Sequence, residues 1–142
     1  MCTMVYLAAA QPLRLVEWVE DRPAFHVTAL HDSEGSVVSH FESQHIVYAG
    51  AHEGCGCGFQ AGDETEDIDP DEYAKRRESL RQLAEYLRQE IARVGTIEVH
   101  ACWDGEQSHS PENRRSLTPA TFETQGFHFL PKEHSLIGQD LG

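Results

Sequence analysis

The chain has 142 residues, of which 39% are hydrophobic, and its 24 acidic and 11 basic residues give a formal net charge of -13. This length predicts one domain over residues 1–142, with enough apolar residues for a core. The acidity argues against nucleic acid as a partner, and no apolar run reaches the ~20 residues of a membrane-spanning helix.

The first half of the chain predicts strands separated by turns. Residues 2–9 are predicted to form a buried strand, because Val5, Tyr6 and Leu7 form a continuous apolar run. Residues 25–30 alternate apolar and polar side chains, which predicts a half-buried strand, and His45–Ala51 gives the clearest strand signal. Residues 13–19 fit either a short strand or an irregular turn, whereas residues 36–41 favour a helical turn.

A long helix is predicted over Pro70–Val94. Asp69 stands at the N-cap position, and Glu72 is spaced to complete a capping box with it. Glu72 is also spaced to pair with Arg76 one turn later, and Gly95 stands where a helix commonly ends. Apolar residues recur every seven positions at Tyr73, Leu80, Leu87 and Val94, as expected for a helix with one buried face.

The rest of the chain predicts short elements around a polar loop. Residues 96–103 alternate and form a strand in which His100 and Cys102 share one face. Residues 116–122 predict a short turn around Pro119, while residues 127–130 and 134–137 predict two final short strands.

Charge is distributed unevenly along the chain. No Lys or Arg lies between Pro23 and Ala74, whereas eight carboxylates fall between Glu53 and Glu72. Such a run is usually a solvated acidic loop. It also lowers the electrostatic potential around its neighbours, which favours a bound cation over an activated cysteine nucleophile.

One segment contains several potential metal-binding or reactive side chains close together. Its sequence is His52-Glu53-Gly54-Cys55-Gly56-Cys57-Gly58-Phe59. Its two cysteines are separated by a single glycine, and the surrounding glycines allow the backbone to curl around an ion. Thiolates and imidazole together suit Zn²⁺, and thiolates also suit Cu(I) and iron–sulfur clusters. Cys55, Cys57 and His52 are therefore candidate metal ligands.

A β–α–β arrangement supplies candidates for the remaining ligands. If strand 45–51 and strand 96–103 run in the same direction in one sheet, their carboxyl ends lie at the same edge. Cys102 and His100 would then approach Cys55 and Cys57. Glu53 would be the proton shuttle if one metal position stayed open for a hydrolase or deaminase reaction.

Two metal-free interpretations stand beside the metal site. Cys55 and Cys57 can act as a redox pair, since a disulfide across one residue is strained and labile. Alternatively, they belong to a structural glycine-rich turn. Cys2 is interpreted as a buried thiol of the first strand, in preference to an N-terminal nucleophile of the kind found in some amidohydrolases.

Two resemblances accompany these residues. The segment from Cys55 to Phe59 is similar to the cysteine motif of A-type iron–sulfur carriers. More of the chain resembles a group of small uncharacterised bacterial proteins, through the segment from Val47 to Phe59 and through Cys102-Trp103-Asp104-Gly105. This second resemblance implies that the cysteine loop and Cys102-Trp103 belong together, and that Cys2 is peculiar to this chain.

These observations predict an α/β or α+β fold: a single-layer mixed sheet of about five or six strands, including a β–α–β unit, with one long helix packed on it. The expected function is metal binding, zinc first, through Cys55, Cys57 and Cys102, with His52 or His100 completing the set. The alternatives are a thiol redox or iron–sulfur carrier protein and a metal-free binding module. A cytoplasmic location is expected, and neither nucleic acid nor a membrane is expected as a partner. The sequence does not indicate an enzymatic reaction, a small-molecule partner or a protein partner.

Overall fold

The most apolar segment of the chain forms a central strand of the sheet. This strand, β1 (Thr3–Ala9), is fully buried from Val5 to Ala9 in the computed structural model, which describes residues 2–18, 24–60 and 69–140. A strand buried on both faces requires partners on both edges, and β1 pairs with a strand on each side.

The described residues form one mixed sheet of six strands in the order β2-β3-β1-β4-β6-β5, an α+β architecture. All neighbours are antiparallel except β5 and β6, which are parallel. The other strands are β2 (Phe25–Ala29), β3 (His45–Ala51), β4 (Ile97–Trp103), β5 (Ser116–Leu117) and β6 (Glu133–Ile137). The helices within the described ranges are α1 (Pro70–Val94), α2 (Pro119–Phe122) and two 3-10 helices, Asp32–His40 and Gly56–Phe59.

The predicted β–α–β unit is present with one modification. Strands β3 and β4 are both antiparallel to β1, so they run in the same direction with β1 between them. In register, Val5 lies opposite Ala49 and Thr3 lies opposite Trp103. The carboxyl ends of β3 and β4 therefore flank the beginning of β1 at one edge of the sheet.

Helix α1 has the predicted bounds, and its ends are set by local interactions. The Asp69 side chain accepts a hydrogen bond from the Asp71 backbone N–H at 3.1 Å, and Gly95 closes the helix with a positive φ of 86°. The predicted capping box is wrong, because Glu72 turns away from Asp69 and pairs with His52 and Arg76. The predicted i,i+4 pair between Glu72 and Arg76 is confirmed.

The two faces of the sheet bury different side chains. The α1 face carries the main apolar core, which includes Leu7, Val99, Leu83 and Leu87. The opposite face carries a smaller cluster that lies under the 3-10 helix Asp32–His40 and consists of Tyr6, Ala8, Val37, Phe41 and Cys102.

The remaining predicted elements have mixed outcomes. A predicted strand over residues 127–130 is wrong: the backbone N–H groups of Phe129 and Leu130 donate to the Gln60 and Glu133 side chains, which replaces pairing with a neighbouring strand. The strand at 134–137 is confirmed within β6.

The two ambiguous segments are also settled. The helical turn at 36–41 is confirmed within the longer 3-10 helix Asp32–His40. Within 13–19, only Val16 forms a bridge, to Val27, and residue 19 lies outside the described residues, as do residues 61–68 of the acidic segment. Among the described residues, no helix has both the length and the hydropathy that crossing a membrane requires.

Candidate metal centre

The cysteine loop leaves β3 through a tight turn. The Gly54 N–H donates to the Ala51 carbonyl at 3.0 Å, and the Ala51 N–H donates to the Cys55 carbonyl at 2.9 Å. Gly54 has a φ of 90°, in the left-handed region that glycine adopts without strain. The turn reverses the chain and directs Cys55 and Cys57 toward the beginning of β1.

Two further glycines allow the loop to lie directly on the sheet. A Cβ atom at Gly56 would lie 2.9 Å from the Thr3 carbonyl oxygen, and one at Gly58 would lie 2.5 Å from Ala51 Cβ. No larger residue fits at either position without moving backbone or buried atoms. Phe59 is fully buried in the main core and anchors the end of the loop.

Cys2 lies beside this loop because β1 passes between β3 and β4. Its carbonyl accepts a 2.7 Å hydrogen bond from the Asp104 N–H, which continues the β1–β4 ladder beyond Thr3. The Sγ atoms of Cys2, Cys55 and Cys57 all lie within 4.8 Å of one another. Cys2 is exposed and the other two are half-buried, so the cluster is open to solvent on one side. We call these three residues the cysteine triad.

The triad is held by contacts to its sulfurs. The Thr3 backbone N–H donates to Cys57 Sγ at 3.2 Å, which ties the loop to the beginning of β1. Burial raises the pKa of Cys55 to about 12, and thiol hydrogen bonds to the sulfurs of Cys57 and Cys2 contribute to the increase. In the metal-free protein Cys55 is therefore a thiol at neutral pH, and a coordinating cation would take the place of its proton.

Cys102, the third cysteine predicted as a ligand, is not part of the triad. It lies opposite Met4 in the β1–β4 register, two residues further into the sheet than Cys2. Two residues of strand span about 7 Å, which separates a buried Cys102 from a group formed at the strand end. The described cysteines that come together are Cys55, Cys57 and Cys2.

His100 also belongs to a different cluster. It is fully buried, its Nδ1 lies 3.1 Å from Nδ1 of His134, and its ring stacks on His40 with centroids 4.7 Å apart. Burial, with a smaller contribution from the neighbouring His40 and His134, lowers the pKa of His100 to about 3. Among the described residues, the groups that can hold a metal do not include His100.

His52 joins the cysteine loop to α1 instead of entering the triad. Its Nδ1 lies 3.1 Å from Ser79 Oγ, and its Nε2 lies 2.9 Å from Glu72 Oε1. Burial opposes ionisation of Glu72, but hydrogen bonds from Arg76 and His52 hold the pKa of its carboxyl below the ordinary value. His52, Glu53 and Glu72 therefore form a second group of potential ligands, separate from the triad.

Cys2 is the site residue that the sequence interpretation missed. The interpretation as a buried thiol is wrong, because Cys2 is exposed immediately before β1. A signal was available in the apolar run from Val5 to Ala9, which indicates a strand with partners on both sides. If such a strand runs antiparallel between two others, its first residues lie beside their carboxyl ends.

Comparisons with known proteins add no family to this description. No family model matches the chain, and neither a curated protein nor a solved structure gives a significant match.

Proposed function

We propose that this chain is a metal-binding protein in which Cys2, Cys55 and Cys57 bind one thiophilic ion, with zinc as the first choice. The observation that carries this proposal is the cysteine triad, whose three sulfurs lie within 4.8 Å of one another. Zinc bound to thiolates at about 2.3 Å places the sulfurs about 3.8 Å apart. The upper limit of the observed separations exceeds that spacing by only about 1 Å.

The surroundings of the triad support a cation. Its ligands are soft sulfurs, which select Zn²⁺ or Cu(I) over Mg²⁺ and Ca²⁺. Three thiolates carry three negative charges, so metal binding removes a repulsion that grows as the thiols ionise. With three protein ligands on the described residues, a fourth position of a tetrahedral ion is available to water or to an added ligand on the exposed side of Cys2.

Metal content of the purified chain tests the proposal. We expect close to one zinc per chain in protein prepared without chelator, and we expect Co²⁺ to give the intense near-ultraviolet absorption of cobalt–thiolate bonds. Cys55→Ser and Cys57→Ser should abolish both signals, and Cys2→Ser should weaken zinc binding by at least about tenfold.

Cys102→Ser is the matched control, because it removes the fourth cysteine without touching the triad. Loss of zinc in Cys102→Ser with retention in Cys2→Ser would overturn the triad in favour of a ligand set with Cys102. If the purified protein is brown and contains iron and sulfide, the proposed zinc ion would be wrong and the triad would bind an iron–sulfur cluster. Metal-free protein that takes up neither Zn²⁺ nor Co²⁺ would reject the function altogether.

A further inference from the structure

A cleft lies beside the cysteine loop, between the end of β3 and the first turns of α1. It has a volume of about 360 Å³ and is lined by Ala24, His52, Glu53, Glu72, Lys75 and Glu78. Three of these residues present ligand atoms that lie within 4.8 Å of one another: His52, Glu53 and Glu72. The cleft contains nitrogen and oxygen donors, in contrast to the sulfurs of the triad.

We propose that His52, Glu53 and Glu72 form a second cation site, which accepts a divalent first-row ion such as Mn²⁺ or Fe²⁺. His52 Nε2 lies 2.9 Å from Glu72 Oε1 and 3.7 Å from Glu53 Oε1. Adjacent ligands of an octahedral ion at about 2.1 Å lie roughly 3.0 Å apart. One separation already fits, and rotation of the half-exposed Glu53 side chain corrects the other.

The imidazole is positioned in the way that metal ligands commonly are. The His52 side chain is only 8% exposed, and the fully buried Ser79 lies behind it. Ser79 Oγ accepts from the His52 backbone N–H at 3.2 Å and lies 3.1 Å from Nδ1. Without a metal, Nε2–H donates to the Glu72 carboxylate; a bound cation would take the place of that proton, and the ring proton would then lie on Nδ1 and donate to Ser79 Oγ. Ser79 is thus a positioning residue.

The three ligands suit a divalent first-row ion. Glu53 and Glu72 supply two negative charges, which the Arg76 guanidinium beside Glu72 and Lys75 in the lining of the cleft offset in part. Arg76 donates from Nε to Glu72 Oε1 at 3.1 Å, which fixes the carboxylate from the side of α1. One imidazole and two carboxylates suit Mn²⁺, Fe²⁺ and Zn²⁺, whereas Mg²⁺ and Ca²⁺ prefer oxygen alone and Cu(I) prefers sulfur.

A titration of the full chain with Mn²⁺ tests the site. The decrease of the electron paramagnetic resonance signal of the free ion measures the binding. We expect one Mn²⁺ per chain, and we expect Glu72→Gln and His52→Gln to weaken its binding by roughly tenfold or more. Ser79→Ala should weaken it by a similar factor through loss of ring orientation, with a change in the hyperfine coupling of the histidine nitrogen.

Glu78→Gln is the matched control. Glu78 lines the same cleft but pairs with Arg81, and it is not one of the three ligands. Unchanged binding in Glu78→Gln supports a defined site, whereas equal weakening in Glu78→Gln and Glu72→Gln would overturn it in favour of general acidic attraction. Absence of Mn²⁺ binding by the wild-type chain would also overturn it.

Two further variants keep the test independent of folding and of the triad. If Glu72→Gln or His52→Gln lowers the melting temperature strongly, Mn²⁺ binding is measured in Glu53→Gln instead. Glu53 is half-exposed and contributes little to packing, so this variant should fold normally. Retained Mn²⁺ binding in Glu53→Gln would then overturn the site. Cys55→Ser should keep Mn²⁺ while losing the cobalt–thiolate absorption of the triad, so failure at one site is distinguishable from failure at the other.

Discussion

The two faces of the sheet are stabilised by different interactions. Under α1, buried apolar side chains from the strands, α1 and α2 form one continuous core. On the opposite face, the buried residues include Tyr6, Glu98, His100 and His134, and each of their polar groups requires a partner. The face opposite α1 therefore buries a group of neighbouring titratable side chains, and their protonation affects its stability.

The face of the sheet opposite α1, which we call the polar face, contains a continuous chain of hydrogen bonds. Glu98 accepts from the backbone N–H groups of Glu42 and Ser43 and lies 3.0 Å from His134 Nε2. When Nε2–H of a neutral His134 donates to this carboxylate, its Nδ1 accepts from His100 Nδ1–H at 3.1 Å. The remaining Nε2 of His100 is then a bare acceptor, and it is buried without a hydrogen-bond partner among the described residues.

The largest effect is expected from truncation on the apolar face. Leu87→Ala removes a fully buried side chain and should cost about 2–5 kcal/mol of unfolding free energy, through lost burial and a residual cavity. Chemical denaturation at pH 7 measures this. Leu136→Ala is the matched control, since Leu136 is 54% exposed and should cost under about 1 kcal/mol. Equal losses would contradict the contrast between the faces.

The next effect concerns acid stability of the polar face. The pKa of His100 falls from 6.5 to about 3 on folding, because it is buried and faces His40 and His134. The unfolded chain therefore binds more protons over that range, so His100 removes roughly 1.4 kcal/mol of stability for each pH unit below about 6.5. Denaturation midpoints measured between pH 7 and pH 4.5 should show this slope.

His100→Gln should reduce that slope, because it removes the titrating ring. His128→Gln, which replaces an exposed imidazole, should leave the slope unchanged. Glu98 adds to the slope only below its ordinary pKa of 4.5. Burial opposes its ionisation, but hydrogen bonds from Ser43 and His134 lower the pKa of its carboxyl in the folded chain. Its stabilisation is therefore lost at lower pH than that of His100. An unaltered slope in His100→Gln would refute the assignment.

The smallest effect is expected at the tyrosine of this face. The Tyr6 hydroxyl donates to Glu34 at 2.5 Å and accepts from Gln107 at 3.3 Å. Tyr6→Phe should cost about 1–2 kcal/mol, because Glu34 keeps the His31 backbone N–H as a donor. Thermal unfolding of the variant measures the loss. A cost as large as that of Leu87→Ala would mean that the polar face contributes as much stability as the core.

Elements with strong local signals were predictable from the sequence. The bounds of α1 and of β3 agree with prediction because capping residues, a seven-residue apolar repeat and a β-rich apolar run act locally. The segment at 127–130 was not predictable, since its backbone binds the Gln60 side chain, 69 residues from Phe129 in sequence, as well as the nearby Glu133 side chain.

The cysteine loop was predictable for the same local reason, and its partner was not. Cys55 and Cys57 are two residues apart, and the glycines around them indicate a tight turn in any fold. The third sulfur depends on strand order. Placing β1 between β3 and β4 brings Cys2 to the loop and leaves Cys102 inside the sheet.

The helix, most of the strands, the acidic charge and the glycine-flanked cysteine pair follow from local sequence patterns. The positions of three side chains were found from the fold alone: His52 faces two carboxylates, His100 is buried against His134, and Cys2 completes the triad. Local patterns set backbone conformation, whereas contacts between distant residues depend on the order and direction of strands in the sheet.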